Sequence, residues 1–206
     1  MQAKTRSSKQ TLTFTEEARR AQIVAAAIET VAEVGYAKAS FARIAKKAGL
    51  SSTGMISYHF TGKDELLRAV VADVLRTASE FMQPKVLSAN GFPAMLRARI
   101  ESNVDLLAQR PADLRALVEI VANARTPEGQ QVADVSAIAS GVDLVEELLR
   151  AGQRAGDFGT FDARVMAIAI TGAIDALVTR CSAGEELDLA RCGAELADLF
   201  ERATRA

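Results

Sequence analysis

The chain's only histidine, His59, follows one of its two tyrosines, Tyr58, in the run GLSSTGMISYHF over residues 49–60. Ser51, Ser52, Thr53 and Ser57 crowd into the same twelve residues. These side chains suit two kinds of chemistry. An imidazole can serve as a general base, but only with a partner to orient it and a pocket to hold a substrate. The run offers neither. Hydroxyl, phenol and imidazole groups at the start of an exposed helix can instead hydrogen-bond to nucleic-acid base edges and phosphates. A structural role stands beside both: Phe60 is most simply core, and Tyr58 is suited to pack its ring and turn its hydroxyl outward.

Elsewhere the chemistry is sparse. Beyond His59 there is no further His or Tyr, no glycine-rich phosphate loop and no nucleophile elbow. Cys181 and Cys192 lie eleven residues apart with no His nearby, a poor metal set. They read as two small, buried or half-buried residues. No catalytic residue, cofactor or metal is assigned.

The elements that must carry the 49–60 run are helical. Alanine and leucine recur throughout, and four prolines punctuate the chain. Thr15 followed by Glu16 and Glu17 marks a helix start, and Gly35 a stop. Ser40 caps a short helix, FARIAKKA, with Phe41 and Ile44 inward and Arg43, Lys46 and Lys47 outward. Gly49 ends it. Ser51 or Ser52 then caps a second short helix reaching His59, and Lys63 opens a longer one. Two short helices joined by a Gly-containing turn behind a longer packing helix form a helix-turn-helix, whose second helix enters the DNA major groove.

Charge agrees. Net charge is −1, yet residues 1–68 carry eleven Lys/Arg against six acids, and the remainder 14 against 20. A basic N-terminal third on an acidic body fits a polyanion partner for the first part. Arg19, Arg20, Lys46 and Lys47 are further candidates for phosphate proximity, or simply a solvated face. The polar N-terminus lacks a signal-peptide core, and the apolar run 165–174 reads as too short to span a bilayer. The expectation is a cytoplasmic protein with no membrane partner.

The dense matches GYAKASFARIAKKAGLS, GMISYHF and TGKDELL resemble the TetR/AcrR family of bacterial regulators, over roughly residues 15–70. In one departure, Gly49 to Phe60 is a residue longer than the family's usual turn plus recognition helix. The resemblance implies a homodimer that binds a palindromic double-stranded DNA operator and is released by a small-molecule inducer. It divides the chain into a flexible basic arm (1–14), a helix-turn-helix domain (15–70) and a helical ligand-binding and dimerisation domain (71–206). Carried over residue by residue, Ser40 and Arg43 look like phosphate contacts. Ser52, Thr53, Gly54, Met55 and Ser57 lie on or near the groove. Tyr58 and His59 contact backbone phosphates, and Lys63 offers an anion site at a helix start.

The body reads as further helices, with a breaker-rich linker over 83–93 and a long helix over 131–155 that turns Val135, Ile138, Val145 and Leu149 inward. Residues 163–178 are apolar over much of their circumference, so they need cover from more than one side. Ala173 and Leu177 are the candidates for a dimer interface. Phe92, Met95, Leu96 and Met166 are candidates for an inducer pocket, or ordinary core. Asn103, Glu119, Asn123 and Arg180 are candidate polar partners. With no clustered inward Arg in view, the expected inducer is apolar and neutral or weakly cationic. The competing class is an all-α small-molecule-binding protein or enzyme with an incidental basic N-terminus.

Overall fold

Glycines, prolines and capping side chains cut the chain into helices. In the computed structural model, which describes residues 14–126, 129–132 and 135–206, these are α1 (Phe14–Val34), α2 (Phe41–Lys47), α3 (Gly54–His59), α4 (Lys63–Leu87), α5 (Phe92–Gln109), α6 (Pro111–Asn123), α7 (Val135–Ala155), α8 (Ala163–Ser182) and α9 (Leu189–Thr204). A 3₁₀ turn, Tyr36–Lys38, links α1 to α2. Among the described residues there is no strand, only an isolated bridge between Arg125 and Gln131. The fold is all-α, as composition and periodicity lead one to expect.

Capping follows local chemistry. Ser40 accepts from the Arg43 amide, Asp162 from Val165 and Asp188 from Arg191, each satisfying an orphan donor of the first turn. Gly35 closes α1 with φ of 76°. Thr15 is not the cap of α1, because the helix already includes Phe14. The arm expected over 1–14 lies outside the described residues apart from Phe14, and so do the side chains of Val135 and Ile138.

Two apolar clusters hold the helices. The first joins Ile23, Ala27 and Val31 of α1 to Ile44 of α2, Ile56 of α3, Phe60, and Leu66 and Val70 of α4. Ala116 and Ile120 of α6, both fully buried, complete it. The second gathers Leu96 and Ile100 of α5, Val145 and Leu149 of α7, Phe158, Ala167 and Ile170 of α8, and Ala197 and Phe200 of α9.

Three sequence expectations change: the division at residue 70, the linker over 83–93 and the reading of the 165–174 run. The division at residue 70 falls inside α4, which runs unbroken to Leu87. The linker expected over 83–93 shrinks to a few residues, since α4 continues through Pro84. The proline costs the one ladder bond its N–H would make to the Glu80 carbonyl, and Met82 is buried beside it. The seam of α6 is Asp113, Ala116 and Ile120, while Leu114, Leu117 and Val121 flank it half-buried. This helix touches α1, α4, α5 and α8, so flanking apolar residues mimic the central stripe. Finally, α8 spans 20 residues and is long and apolar enough to cross a membrane by length and composition alone. The run 165–174 reads as too short because Arg164 and Asp175 close it, yet the helix continues on both sides of these charges. Only 17% of its apolar window is buried within the chain.

The corner between α7 and α8 is tight. A Cβ placed on Gly152 would overlap the buried ring of Phe158 and stand 3.0 Å from Cβ of Phe92. Gly152→Ala is therefore expected to destabilise the fold by about 1–3 kcal/mol, despite alanine's better helix propensity. Urea unfolding of the two proteins checks this, and equal or greater stability in the variant would show that the ring moves aside freely.

Candidate nucleic-acid interface

The turn between α2 and α3 is built from its smallest residues. Gly49 takes φ of 66° with open space where a Cβ would stand, so it is required for its backbone, not for room. The Leu50 amide then donates to the Ala45 carbonyl at 2.8 Å, and that of Ala48 to Ile44 at 2.8 Å, closing α2. Ile44 and Ala45 anchor α2, and Ile56 and Phe60 anchor α3 and its exit, all nearly or fully buried.

These anchors decide what α3 shows to solvent. Thr53 and Gly54, then Ser57 and Tyr58 one turn later, are all exposed on one face. Tyr58 is 74% exposed. Its hydroxyl donates to Glu16 of α1 at 3.1 Å. The N-cap position is Thr53, not Ser51 or Ser52, and no side chain bonds there. This fixes the register: Ser52 belongs to the exposed turn and Gly54 is the first helical residue. Ser40 and Arg43 are exposed on α2, whereas Met55 and His59 are half-buried.

Lys63 departs most from expectation. Its ammonium donates to the Tyr36 carbonyl at 2.9 Å and lies 4.1 Å from the centre of the Tyr36 ring. Burial lowers its pKa. It braces the 3₁₀ turn instead of standing free for an anion. Arg20 is also committed inward. It donates to the His59 carbonyl at 2.6 Å, lies 4.0 Å over the Phe60 ring and pairs with Glu65 at 3.3 Å. Lys47 pairs with Glu29 and Glu33. Arg43 and Lys46 are exposed and have no ion-pair partner among the described residues. Positive charge available on α2 thus narrows to those two.

The His59 ring meets Tyr58 edge-on at 5.0 Å. No carboxylate among the described residues orients its imidazole, which is what a general base would require.

Two contacts escaped the sequence reading. Glu65 reaches back to accept from the Thr61 amide and hydroxyl, both at 2.8 Å. Glu119 on α6 accepts from the Tyr36 amide at 3.1 Å, across 83 residues of sequence. The first follows a helix-start pattern, an acid in the first turn. The second has no local signature.

The exposed polar face on α3, the glycine turn and the packing helix behind them have the layout of a helix-turn-helix. Residues 23–70 match the family model described as "Bacterial regulatory proteins, tetR family". Over these residues the N-terminal domain is similar to that family. A regulator called "HTH-type transcriptional regulator BetI" from Stenotrophomonas maltophilia (strain R551-3) is 41% identical over 91 residues, 44% of this chain and 46% of the relative. The chain thus matches less than half the length of that relative. The whole fold is similar to that of a transcriptional regulator FadR from Bacillus subtilis solved with stearoyl-CoA, with a TM-score of 0.76 at 23% identity over 87% of this chain and 96% of the other. It is also similar to AibR solved with isovaleryl coenzyme A and operator DNA, with a TM-score of 0.72 at 18% identity over 88% and 97%.

The Glu65 clamp carries a pH signature. Chiefly the Thr61 amide, then its hydroxyl and Arg20, hold the Glu65 carboxyl below its ordinary value of 4.5. A lowered native pKa contributes stability that is present above the unfolded value and lost as pH falls through the native one. The stability difference between the native chain and Glu65→Gln should therefore be largest above about pH 5 and close at lower pH. Urea unfolding from pH 3 to 7 reads it, and a difference independent of pH would show that the charge is not what holds the turn.

Proposed function

We propose that the protein is a dimeric transcriptional regulator, most simply a repressor, that binds a palindromic operator through α3 and is released by a small molecule bound in the helical body. The observation that carries this is the exposed face Thr53, Gly54, Ser57 and Tyr58, standing on a buried Ile56–Phe60 anchor inside the tetR-family match. Ser40 and Arg43 contact phosphate, Thr53, Gly54 and Ser57 meet base edges, and Tyr58 reaches the backbone. Ser52 borders this face. Met55 and His59 support it from behind. The likeness to AibR and FadR, solved with coenzyme A thioesters, supports a ligand in the body.

A second copy is the natural cover for α8. Val165 and Ile168 are 63% and 53% exposed, and Leu199 on α9 is 49% exposed. With Ala169, Gly172 and Ala176 they leave an apolar stripe on α8 open to solvent. Ala173 and Leu177, the interface candidates from sequence, are half-buried, and Ala173 packs against the chain's own second cluster. The outward stripe lies beside them.

Two measurements follow. Arg43→Ala should weaken binding to the operator and to unrelated duplex alike, and should reduce the log–log salt slope by about 0.9 for the one phosphate lost. An unchanged slope with altered preference at one base pair would make Arg43 a base reader. Ile168→Arg should give monomers by light scattering and a steep loss of operator affinity, since two half-sites about 34–36 Å apart need two linked recognition helices. An intact dimer would move the interface off this stripe.

A further inference from the structure

Two arginines on α5, two residues apart, have opposite surroundings. Arg97 pairs with Glu101 and with Asp198 and Glu201 of α9. Arg99 points the other way. It lines an apolar cavity of about 170 Å³ between α4, α5 and α7, together with Leu96, Leu144, Val145 and Leu148, with Ser79 and Gln83 at its α4 side. It also lines a smaller cavity of about 80 Å³ against α8, with Asn103 and Asp175. Burial depresses the Arg99 pKa. Among the described residues no carboxylate comes within the 4.0 Å of an ion pair, not even Asp175, and its side chain donates no hydrogen bond. The carboxyl of Asp175 is itself raised by burial, which weakens it as a counter-charge.

A partly desolvated, unpaired guanidinium costs stability that a counter-charge with good hydrogen-bond geometry recovers. Here the missing counter-charge faces an apolar cavity open at exposed Leu144. The guanidinium is a rigid fork suited to a carboxylate or phosphate. We propose that the inducer is an anionic amphiphile: its carboxylate or phosphate pairs with Arg99, and its hydrocarbon part fills the cavity lined by Leu96, Val145 and Leu148. This rests on the body being the ligand-binding part. It reverses the expectation of a neutral or cationic inducer, which assumed no inward arginine. It also moves the pocket. Of the four sequence candidates only Leu96 lines this cavity, while Phe92 and Met166 pack against the second cluster.

Calorimetric titration of the full chain with hexanoate, hexyl phosphate, hexanol and hexylamine reads the pairing without DNA. A cavity of this size takes the six-carbon chain that all four probes share, about the scale at which a 150 Å³ cavity holds benzene, and leaves the headgroup at Arg99. At least one anion should bind about tenfold or more tighter than hexanol, and hexylamine weakest. The tighter of the two anions names the headgroup. Arg99→Met should abolish the preference and melt no lower than the native chain, because it removes an unpaired, half-buried charge from an apolar cavity wall. Arg99→Lys should retain part of it. Equal binding of hexanol and both anions, a preference that survives in Arg99→Met, or no binding of any of the four would overturn the proposal. An operator titration that fails while the preference stands would sink the regulator reading alone.

Discussion

The helix-turn-helix does not close its own core. Ile23, Ala27 and Val31 of α1 share one buried cluster with Ala116 and Ile120 of α6, α1 packs along α6, and those two α6 residues are fully buried. Burial of this kind stabilises by about 1.5–3 kcal/mol per large side chain. The DNA-facing part therefore takes a share of its stability from the body. Glu119, one residue before Ile120, adds a polar bond to the same seam by accepting from the Tyr36 amide. Lys63 holds the Tyr36 carbonyl from the other side. The 3₁₀ turn that aims α2 is thus held at both ends of one peptide-bearing residue, by α6 and by α4.

This arrangement explains which parts were legible in the sequence. Short-range rules worked wherever the controlling partner is close in the chain. Ser40 and Asp162 cap as their types suggest, Gly35 and Gly49 turn where glycine must, and Leu96, Ile100, Val104 and Leu107 form the stripe their spacing indicates. The rules failed where tertiary contacts decide. Pro84 reads as a breaker, yet its helix is carried past it by packing. Lys63 looks like a free cation at a helix start, yet Tyr36 lies 27 residues upstream in wait for it. The stripe of α8 reads as one continuous apolar surface, and only the packed chain shows which side its own core uses.

The candidate ligand site was least legible for the same reason. Large apolar residues such as Phe92, Phe158 and Met166 draw the eye, but filling space is what makes them core. A cavity forms where packing is incomplete, and no sequence pattern marks that. Arg97 and Arg99 look alike in sequence. One pairs with three carboxylates and the other with none among the described residues, a difference that follows from α9 packing on one side of α5 and α7 on another.

The geometry also says how the two ends of the molecule can be linked. At 25 residues and 1.5 Å per residue, α4 is about 37 Å long. Its first turns bury Leu66 and Leu67 in the core beneath α3, and its last turns present Ser79, Gln83, Val86 and Leu87 to the cavity. Pro84 lies within that cavity stretch. Its missing N–H leaves the Glu80 carbonyl without the usual donor four residues on, so one ladder bond is absent in the stretch that lines the cavity. The second route is α6, which touches α4, α5 and α8 and ends in the Glu119–Tyr36 bond and the Ile120 seam. A ligand alters DNA affinity only as far as it binds one placement of these helices better than another. A typical coupling of about 1–3 kcal/mol is no larger than the one buried seam and one hydrogen bond that join α6 to the DNA-facing helices, so that junction alone is large enough to carry the signal.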